Sequence, residues 1–456
     1  MPERIEGYLQ TAAEQVRWKR ARPLLTAELR THLLDQRDAY LSGGMEADAA
    51  EEEALRQMGD PVALGAELDR VHRPKPQWGL LALTALLALA GGILRVWTAG
   101  LVHEEVHIAY RTACALFLGS ACFLGGYFLD VSFLGRHGKA VYLAALLGGV
   151  LCLRWSPIIN HASYFTRYAV LLYPVAYAAW AYAWRGKGWK GLLAAAAGCL
   201  PLAAVCMQAP SVIGLFLLLA AGLAAMLTAV RADWFGVGRR SGTLAVGGAA
   251  LAAVCWAGWM AARGYGRARL LLLFHPELDP LGGGYQAMTV RAAVSGARWL
   301  GEGSMGAYAG DAYERVVPAW DTDFLLTTVL HKLGWLPFLA LLAVCALLFI
   351  WLLVRCLGQK NQLGRLISLS VVLPLGLQAA GSLLLNLGFV LTSAHFPLLV
   401  GNYHAVVDMA LLGLALSAFR QEDLPGERKT RNVPADRRPL ISWRDGDLVI
   451  ALGRKG

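Results

Sequence analysis

Residues 76–420 are almost continuously apolar, and no other feature restricts the possible folds of this chain so strongly. A helix needs about 20 predominantly apolar residues to cross the hydrocarbon of a bilayer. In lipid, every backbone N–H and C=O must also be satisfied within the protein. Ten stretches meet the length requirement, at roughly 78–98, 109–130, 139–158, 165–184, 189–207, 211–230, 242–262, 324–354, 366–391 and 396–419. The chain is 57% hydrophobic and only 16% charged, where soluble domains carry roughly 25% charged residues. The expected fold is therefore all-α, a polytopic membrane protein of about ten transmembrane helices. The eighth stretch is overlong and reads as starting with a tilted or re-entrant portion. The first 75 residues are polar and show no cleavable signal peptide, so the first span is expected to act as the insertion signal.

The net charge of +10 could suggest a nucleic-acid partner, but its distribution argues against one. Arg136, His137 and Lys139 follow the second span. Arg185, Lys187 and Lys190 follow the fourth, and Arg231, Arg239 and Arg240 the sixth. Arg355, Lys360 and Arg365 follow the eighth, and a basic tail follows the tenth. The opposite loops are acid-rich or nearly neutral, as in His103-Glu104-Glu105-Val106-His107. By the positive-inside rule both termini are expected in the cytoplasm, with a large loop at 263–323 facing outward. The cysteines (Cys114, Cys122, Cys152, Cys199, Cys206, Cys255, Cys345, Cys356) lie in or beside apolar segments without metal-ligand spacing. They read as small packing residues.

Residues 1–75 read as a small helical cytoplasmic domain. Leu24-Leu25, Leu29, Leu33-Leu34 and Tyr40-Leu41 recur at helical spacing, and Ser42-Gly43-Gly44 and Gly59-Asp60-Pro61 punctuate the helices. Glu28-Leu29…His32-Leu33…Asp35…Tyr40…Gly43, then Met58-Gly59-Asp60-Pro61, resembles the permease prefix module found ahead of some bacterial membrane proteins. That resemblance implies an interaction or regulatory element, with His32 and the acids at the surface. Residues 421–456, with Arg428-Lys429, Arg431 and Arg437-Arg438, read as a mostly disordered basic tail that either touches anionic lipid or is simply solvated. Leu448–Leu452 is a weak strand candidate there.

Chemistry is expected in the 263–323 loop and the span entrance after it. Asp321 and Asp323 precede an apolar run, so a carboxylate there meets water on one side and lipid on the other. Such a setting suits a general base, while helix capping accounts for the same two acids equally plainly. Arg267, Arg269, Arg298 and Lys332 are cations that could bind phosphate oxygens or snorkel at the interface. Gly283-Gly284 and Gly301-Glu302-Gly303 read either as an anion cradle or as turns.

The order Gly266-Arg267-Ala268-Arg269…Asp321-Thr322-Asp323-Phe324…His331-Lys332-Leu333-Gly334 resembles the SEDS family (shape, elongation, division and sporulation), with its FtsW, RodA and SpoVE members. Arg154-Trp155, Gln208 with Pro210, and Gln378…Asn386 with Gly388 resemble further family elements. The resemblance implies a peptidoglycan glycosyltransferase at the outer face of the bacterial cytoplasmic membrane. Such an enzyme polymerises lipid II, an undecaprenyl-diphosphate-linked glycan, beside a class B penicillin-binding protein transpeptidase. It places the catalytic base on Asp323, which could also hold a divalent cation (Mg or Mn). Arg267, Arg269, Arg298, Lys332, Arg154, Gln378 and Asn386 become candidate substrate contacts, and Arg154 would face the lipid head group.

Several departures mark a divergent member. Asp321 stands where the family has histidine, and His331-Lys332 replaces an acidic pair. The Gln-Pro-Ser-Glu stretch is absent from Ser156-Pro157-Ile158-Ile159-Asn160, and a longer Gly-Ser ending is reduced to Phe396–Asn402. Two rival functions remain: a flippase for the lipid-linked precursor, and a non-catalytic scaffold of division or sporulation.

Overall fold

The computed structural model describes residues 2–19, 21–101, 105–159, 162–308, 310–389, 394–399, 403–422, 441–444 and 447–450. The chain divides into two compact units, residues 1–74 with 423–456, and residues 75–422.

The N-terminal unit holds four helices: α1 (Pro2–Gln15), α2 (Arg22–Ser42), α3 (Ala47–Met58) and α4 (Pro61–His72). The Gly59-Asp60-Pro61 signal acts as its chemistry requires. Gly59 turns the chain at φ +77°, the Asp60 carboxylate accepts the Ala63 N–H at 2.8 Å, and Pro61 opens the helix where an N–H has no partner to lose. Ile5, Leu9, Leu33 and Ala54 form the core. Glu28, His32 and Asp35 are exposed, the surface position the sequence suggests.

The larger unit is a multi-pass membrane domain. It begins with α5 (Trp78–Gly100) and α6 (Glu105–Phe128), turns through α7 (Val131–Arg136), and continues in α8 (Gly138–Trp155). A two-residue ribbon follows, β1 (Ile158–Ile159) paired antiparallel with β2 (Ala162–Ser163). Next come α9 (Thr166–Ala169), α10 (Tyr173–Ala183), α11 (Gly188–Ala197), α12 (Cys199–Gln208), α13 (Val212–Arg231) and α14 (Arg239–Ala261). The stretch 263–323 contributes α15 (Gly264–Phe274), α16 (Tyr285–Ser295) and α17 (Tyr313–Val316). The domain closes with α18 (Leu325–Leu333), α19 (Trp335–Leu357), α20 (Gln362–Asn386) and α21 (Tyr403–Arg420). Among the described residues, eight helical stretches are long and apolar enough to cross a membrane. The other two predicted spans correspond to α9–α10 and to α21, an 18-residue helix.

Lipid offers no hydrophobic drive for helices to associate, so they must approach closely. Between α6 and α21 two glycines allow this. A Cβ on Gly126 would lie 2.6 Å from the Ala410 carbonyl oxygen, and one on Gly413 would strike the Phe123 carbonyl.

Four predicted spans need correction in detail. The stretch 165–184 is not one helix: a 3-10 turn at Val170–Leu172 separates α9 from α10, where Pro174 cannot donate a backbone hydrogen bond. The stretch 189–207 breaks at Gly198, where a side chain would collide with the Trp180 indole. The overlong eighth span divides at Gly334, whose φ of +100° ends α18 and starts α19 in a new direction. The tenth helix starts at Tyr403, after Phe396-Pro397-Leu398-Leu399, and not at 396. Outside the described residues lie His103-Glu104, Asn160, Val400-Gly401-Asn402 and the tail from 423 to 440 with its arginines and lysine. Beyond that gap, β3 (Ile441–Arg444) pairs antiparallel with β4 (Asp447–Ile450), which overlaps the strand candidate.

Gly334 is sensitive to substitution for two reasons. A Cβ there would sit 2.8 Å from both the Arg298 and Trp299 carbonyl oxygens, in a backbone conformation L residues avoid. Gly334→Ala is expected to cost about 1–3 kcal/mol, read as a lower thermal midpoint in detergent. Gly376→Ala, in the middle of α20 with nothing within 4 Å, should leave the midpoint unchanged or raise stability by up to about 1 kcal/mol.

Candidate active site

The predicted loop is a folded layer with its own core. Val290, Ala293, Met305, Tyr313, Val316, Val317 and Phe324 pack together with Leu385 of α20. Arg291 on α16 braces the layer: its Nη2 donates to the Leu273 carbonyl at 2.7 Å and its Nε to the Gly388 carbonyl at 3.2 Å. One guanidinium thereby caps the end of α15 and holds the chain leaving α20.

Residues 319–324 form the turn that carries both acids. Ala319 is left-handed at φ +50°, and its carbonyl accepts N–H bonds from Thr322 at 3.0 Å and Phe324 at 3.1 Å. The turn has no helix or strand to satisfy the rest of its backbone, so side chains from distant elements do so. Arg95, near the end of α5, donates from Nη1 to the Asp321 carboxylate at 2.5 Å and also to the Asp321 carbonyl. Asn386 closes α20 and is almost fully buried. Its Nδ2 donates to the Asp323 carbonyl at 2.9 Å and the Ser382 carbonyl at 2.8 Å, while its Oδ1 accepts the Thr327 N–H at 2.8 Å and the Thr327 hydroxyl at 2.9 Å. The Thr328 hydroxyl donates to the Trp320 carbonyl at 2.6 Å and takes the Tyr313 hydroxyl at 3.0 Å.

These contacts decide the capping reading for Asp321, whose carboxylate is engaged by Arg95. The N-cap position of α18 falls on Phe324. They also engage Asn386, whose amide oxygen and nitrogen are fully taken up in holding the turn. Lys332 is likewise engaged: its Nζ pairs with Glu302 at 2.7 Å and Glu314 at 3.1 Å. Gln378 lies 2.5 Å from the His395 ring nitrogen Nε2, and His395 stands 3.7 Å from a buried Asp408. The glycine pairs are turns. Gly283 N–H bonds the Asp279 carboxylate at 2.7 Å, Gly284 N–H the Asp279 carbonyl at 2.9 Å, and Gly301 and Gly303 bond the Leu333 and His331 carbonyls at 2.9 and 2.8 Å. Arg267 and Arg269 on α15, Arg298 after α16, and Arg154 in the last turn of α8 are all exposed cations. Gln208 ends α12 and is exposed.

Residues 77–420 match the FtsW/RodA/SpoVE model, described as a cell cycle protein. The chain belongs to this family. Among its relatives, the probable peptidoglycan glycosyltransferase FtsW of Idiomarina loihiensis is 27% identical over 172 residues, 36% of this chain and 41% of that one. The peptidoglycan glycosyltransferase MrdB of Escherichia coli K12 is 27% identical over 162 residues, 34% of this chain and 41% of that protein. The matched stretch thus spans under half the length of these curated relatives. A chain from a solved peptidoglycan synthase complex that coordinates polymerization and crosslinking is similar in fold. It has a TM-score of 0.59 at 24% identity, covering 76% of this chain and 98% of that one.

Sequence reasoning overlooked five residues that brace the 319–324 turn and its layer: Arg95, Arg291, Thr327, Thr328 and Tyr313. Arg95 was legible. It is the single charged residue in the 23 of α5, and a charge within a span is a site signal by default. Arg291 and the threonines carry no such signal: Arg291 bonds remote backbone carbonyls, Thr327 the remote Asn386, and Thr328 the Trp320 carbonyl and Tyr313 hydroxyl. For a metal, no cluster of three or more His, Cys, Asp or Glu side chains suited to an ion occurs among the described residues. Asp321 is already paired. An ion at this turn would need most of its ligands from substrate or water oxygens, an arrangement Mg²⁺ commonly adopts with phosphates.

Two outcomes test this geometry. Asn386→Ala leaves the Thr327 N–H and the Asp323 carbonyl unpaired and should destabilise the unit by about 1–3 kcal/mol, measured by thermal unfolding in detergent. The loop should also respond to pH. Burial and the adjacent Lys332 charge hold His331 below its ordinary 6.5, so stability falls as pH drops through about 6.5, where an unfolded imidazole gains its proton. The Lys332 hydrogen bond holds Glu302 below 4.5, adding a further loss as pH falls below that. Burial opposes the Lys332 charge, but Glu302 and Glu314 outweigh it and raise the amine above 10.5. Its contribution is complete below 10.5 and lost above. Amide exchange in residues 298–316 should be slowest between about pH 7 and 10, after correction for intrinsic rates.

Proposed function

We propose that this protein is a peptidoglycan glycosyltransferase that polymerises lipid II at the outer face of the bacterial cytoplasmic membrane. The observation that carries the reading is the acid turn at 319–324, braced from α5 and α20 under a folded extracytoplasmic layer. A base acting on a sugar hydroxyl must be held in place, because misplacement by about 1 Å can cost 100-fold in rate.

In this reading the Asp323 carboxylate takes the proton from the acceptor sugar hydroxyl. The hydroxyl oxygen attacks the anomeric carbon of the donor chain, and the bond from that carbon to the diphosphate oxygen breaks. One base and a stabilised leaving group suffice for transfer, without the second carboxylate of a hydrolase. Arg267, Arg269 and Arg298, all exposed, are the cations proposed to receive the diphosphate. Arg154 would meet the head group elsewhere on the outer surface. A divalent cation, when bound, would offset diphosphate charge from a position shared with Asp323. The inverting outcome and the class B transpeptidase partner complete the proposal as expectations from the family, cytoplasmic termini from the placement of basic loops, and a regulatory N-terminal domain from its likeness to the permease prefix.

The first experiment is polymerisation of fluorescent lipid II by purified protein with Mn²⁺ or Mg²⁺. Asp323→Asn should lower the rate by about 10²–10⁴-fold. Polymer made equally by both proteins removes Asp323 as the base, and wild type making none removes the enzyme reading. One observation favours movement of the lipid-linked precursor as a second reading. Gln378, His395 and Asp408 place polar and ionisable groups together in the buried interior of the helix bundle, where such residues often line transport paths. Lipid II translocation in sealed vesicles without polymer formation would select it.

A further inference from the structure

We infer that Arg95 is a positioning residue for the transfer reaction: it pins the peptide two residues before Asp323 and so fixes the direction in which that carboxylate is presented. The inference rests on the proposed glycosyl transfer for its kinetic consequences, but its structural content stands alone.

Three observations converge on it. Arg95 is the lone charge on an otherwise apolar helix, a costly position that needs a compensating partner. Its side chain is 11% exposed and that of Asp321 26%, so the pair is shielded from water more than a surface bridge would be. One nitrogen, Nη1, serves both the side-chain carboxylate and the main-chain carbonyl of Asp321. A bridge to the carboxylate alone would leave the backbone free to rotate. Adding the carbonyl fixes the peptide plane between Asp321 and Thr322.

Asn386 fixes the carbonyl of Asp323 from the opposite side of the sequence. The two carbonyls, at 321 and 323, are thereby held by α5 and α20, and the residue presenting the base is clamped between them. Ala319 sits in a left-handed conformation in the same turn, which such bracing must hold against the penalty for a non-glycine residue. Arg95 also neutralises Asp321, so an incoming diphosphate meets a paired carboxylate at that position.

The test uses full-length protein in lipid nanodiscs, with Arg95→Met, Asp321→Asn, the double variant and Arg95→Lys. Amide exchange of residues 318–326, thermal midpoint, and kcat and KM on lipid II are measured. Arg95→Met should speed exchange at residues 319–324 specifically and lower kcat about 10–100-fold, with KM within about twofold. Asp321→Asn should lose much less, because Arg95 still reaches the carbonyl, and the double variant should match Arg95→Met. Arg95→Lys keeps the charge but loses the guanidinium geometry and should fall between. It carries the test if Arg95→Met loosens the whole unit.

Unchanged exchange at 319–324, wild-type kcat, or multiplying single effects in the double variant would overturn the inference. If wild type makes no polymer, the transfer reading fails separately, and the exchange result alone decides whether Arg95 pins the turn.

Discussion

The backbone of residues 319–324 lies in no helix or strand, so its carbonyl groups need partners from elsewhere, and that need organises the site. Arg95 supplies one from 226 residues away and Asn386 another from 63 residues away. Each partner sits near the same end of a long helix as the turn itself. The turn is therefore only as well defined as the packing that brings α5 and α20 alongside α18. Close helix contacts deep in the membrane domain, such as the glycine-mediated pairing of α6 with α21, contribute to the site without touching it.

The folded layer of residues 285–317 serves the same end. Residues 298–303 run along the α18–α19 junction, donating and accepting four backbone bonds with residues 331–336. These bonds replace the intrahelical partners lost where Gly334 interrupts the helix. Tyr313 stacks on His331 with ring centroids 4.6 Å apart and bonds Thr328. Lys332 gathers Glu302 and Glu314. A loop that only connected two spans would need none of this. Here the loop is fixed by backbone bonds and ion pairs to the helix that follows the acid turn.

Membrane insertion, most of the helices and the family were legible because hydropathy and local motif order are properties of contiguous sequence. The breaks at Val170–Leu172 and Gly334 were less so: each depends on what a single residue meets in three dimensions. Lys332 and Asn386 show the larger limit. Their side-chain chemistry suits a substrate, and nothing local reveals that Glu302, Glu314, Thr327 and the Asp323 carbonyl already occupy them. Arg95 shows the reverse. Its isolation among apolar residues was visible, but its partner lay in a segment that hydropathy treats as unrelated.

The departures from the family pattern fall into a physical order once the partners are known. Where the family has histidine, this chain has Asp321, and a guanidinium meets it from α5. Where the family has an acidic pair before Leu-Gly, this chain has His331-Lys332, and two glutamates from the loop meet the lysine. Each change of charge thus comes with an opposite charge at contact distance. These pairs are largely shielded from water, where an uncompensated charge is costly, so each altered residue needs its partner for stability. The backbone from 319 to 334 is thereby held with a different set of ions.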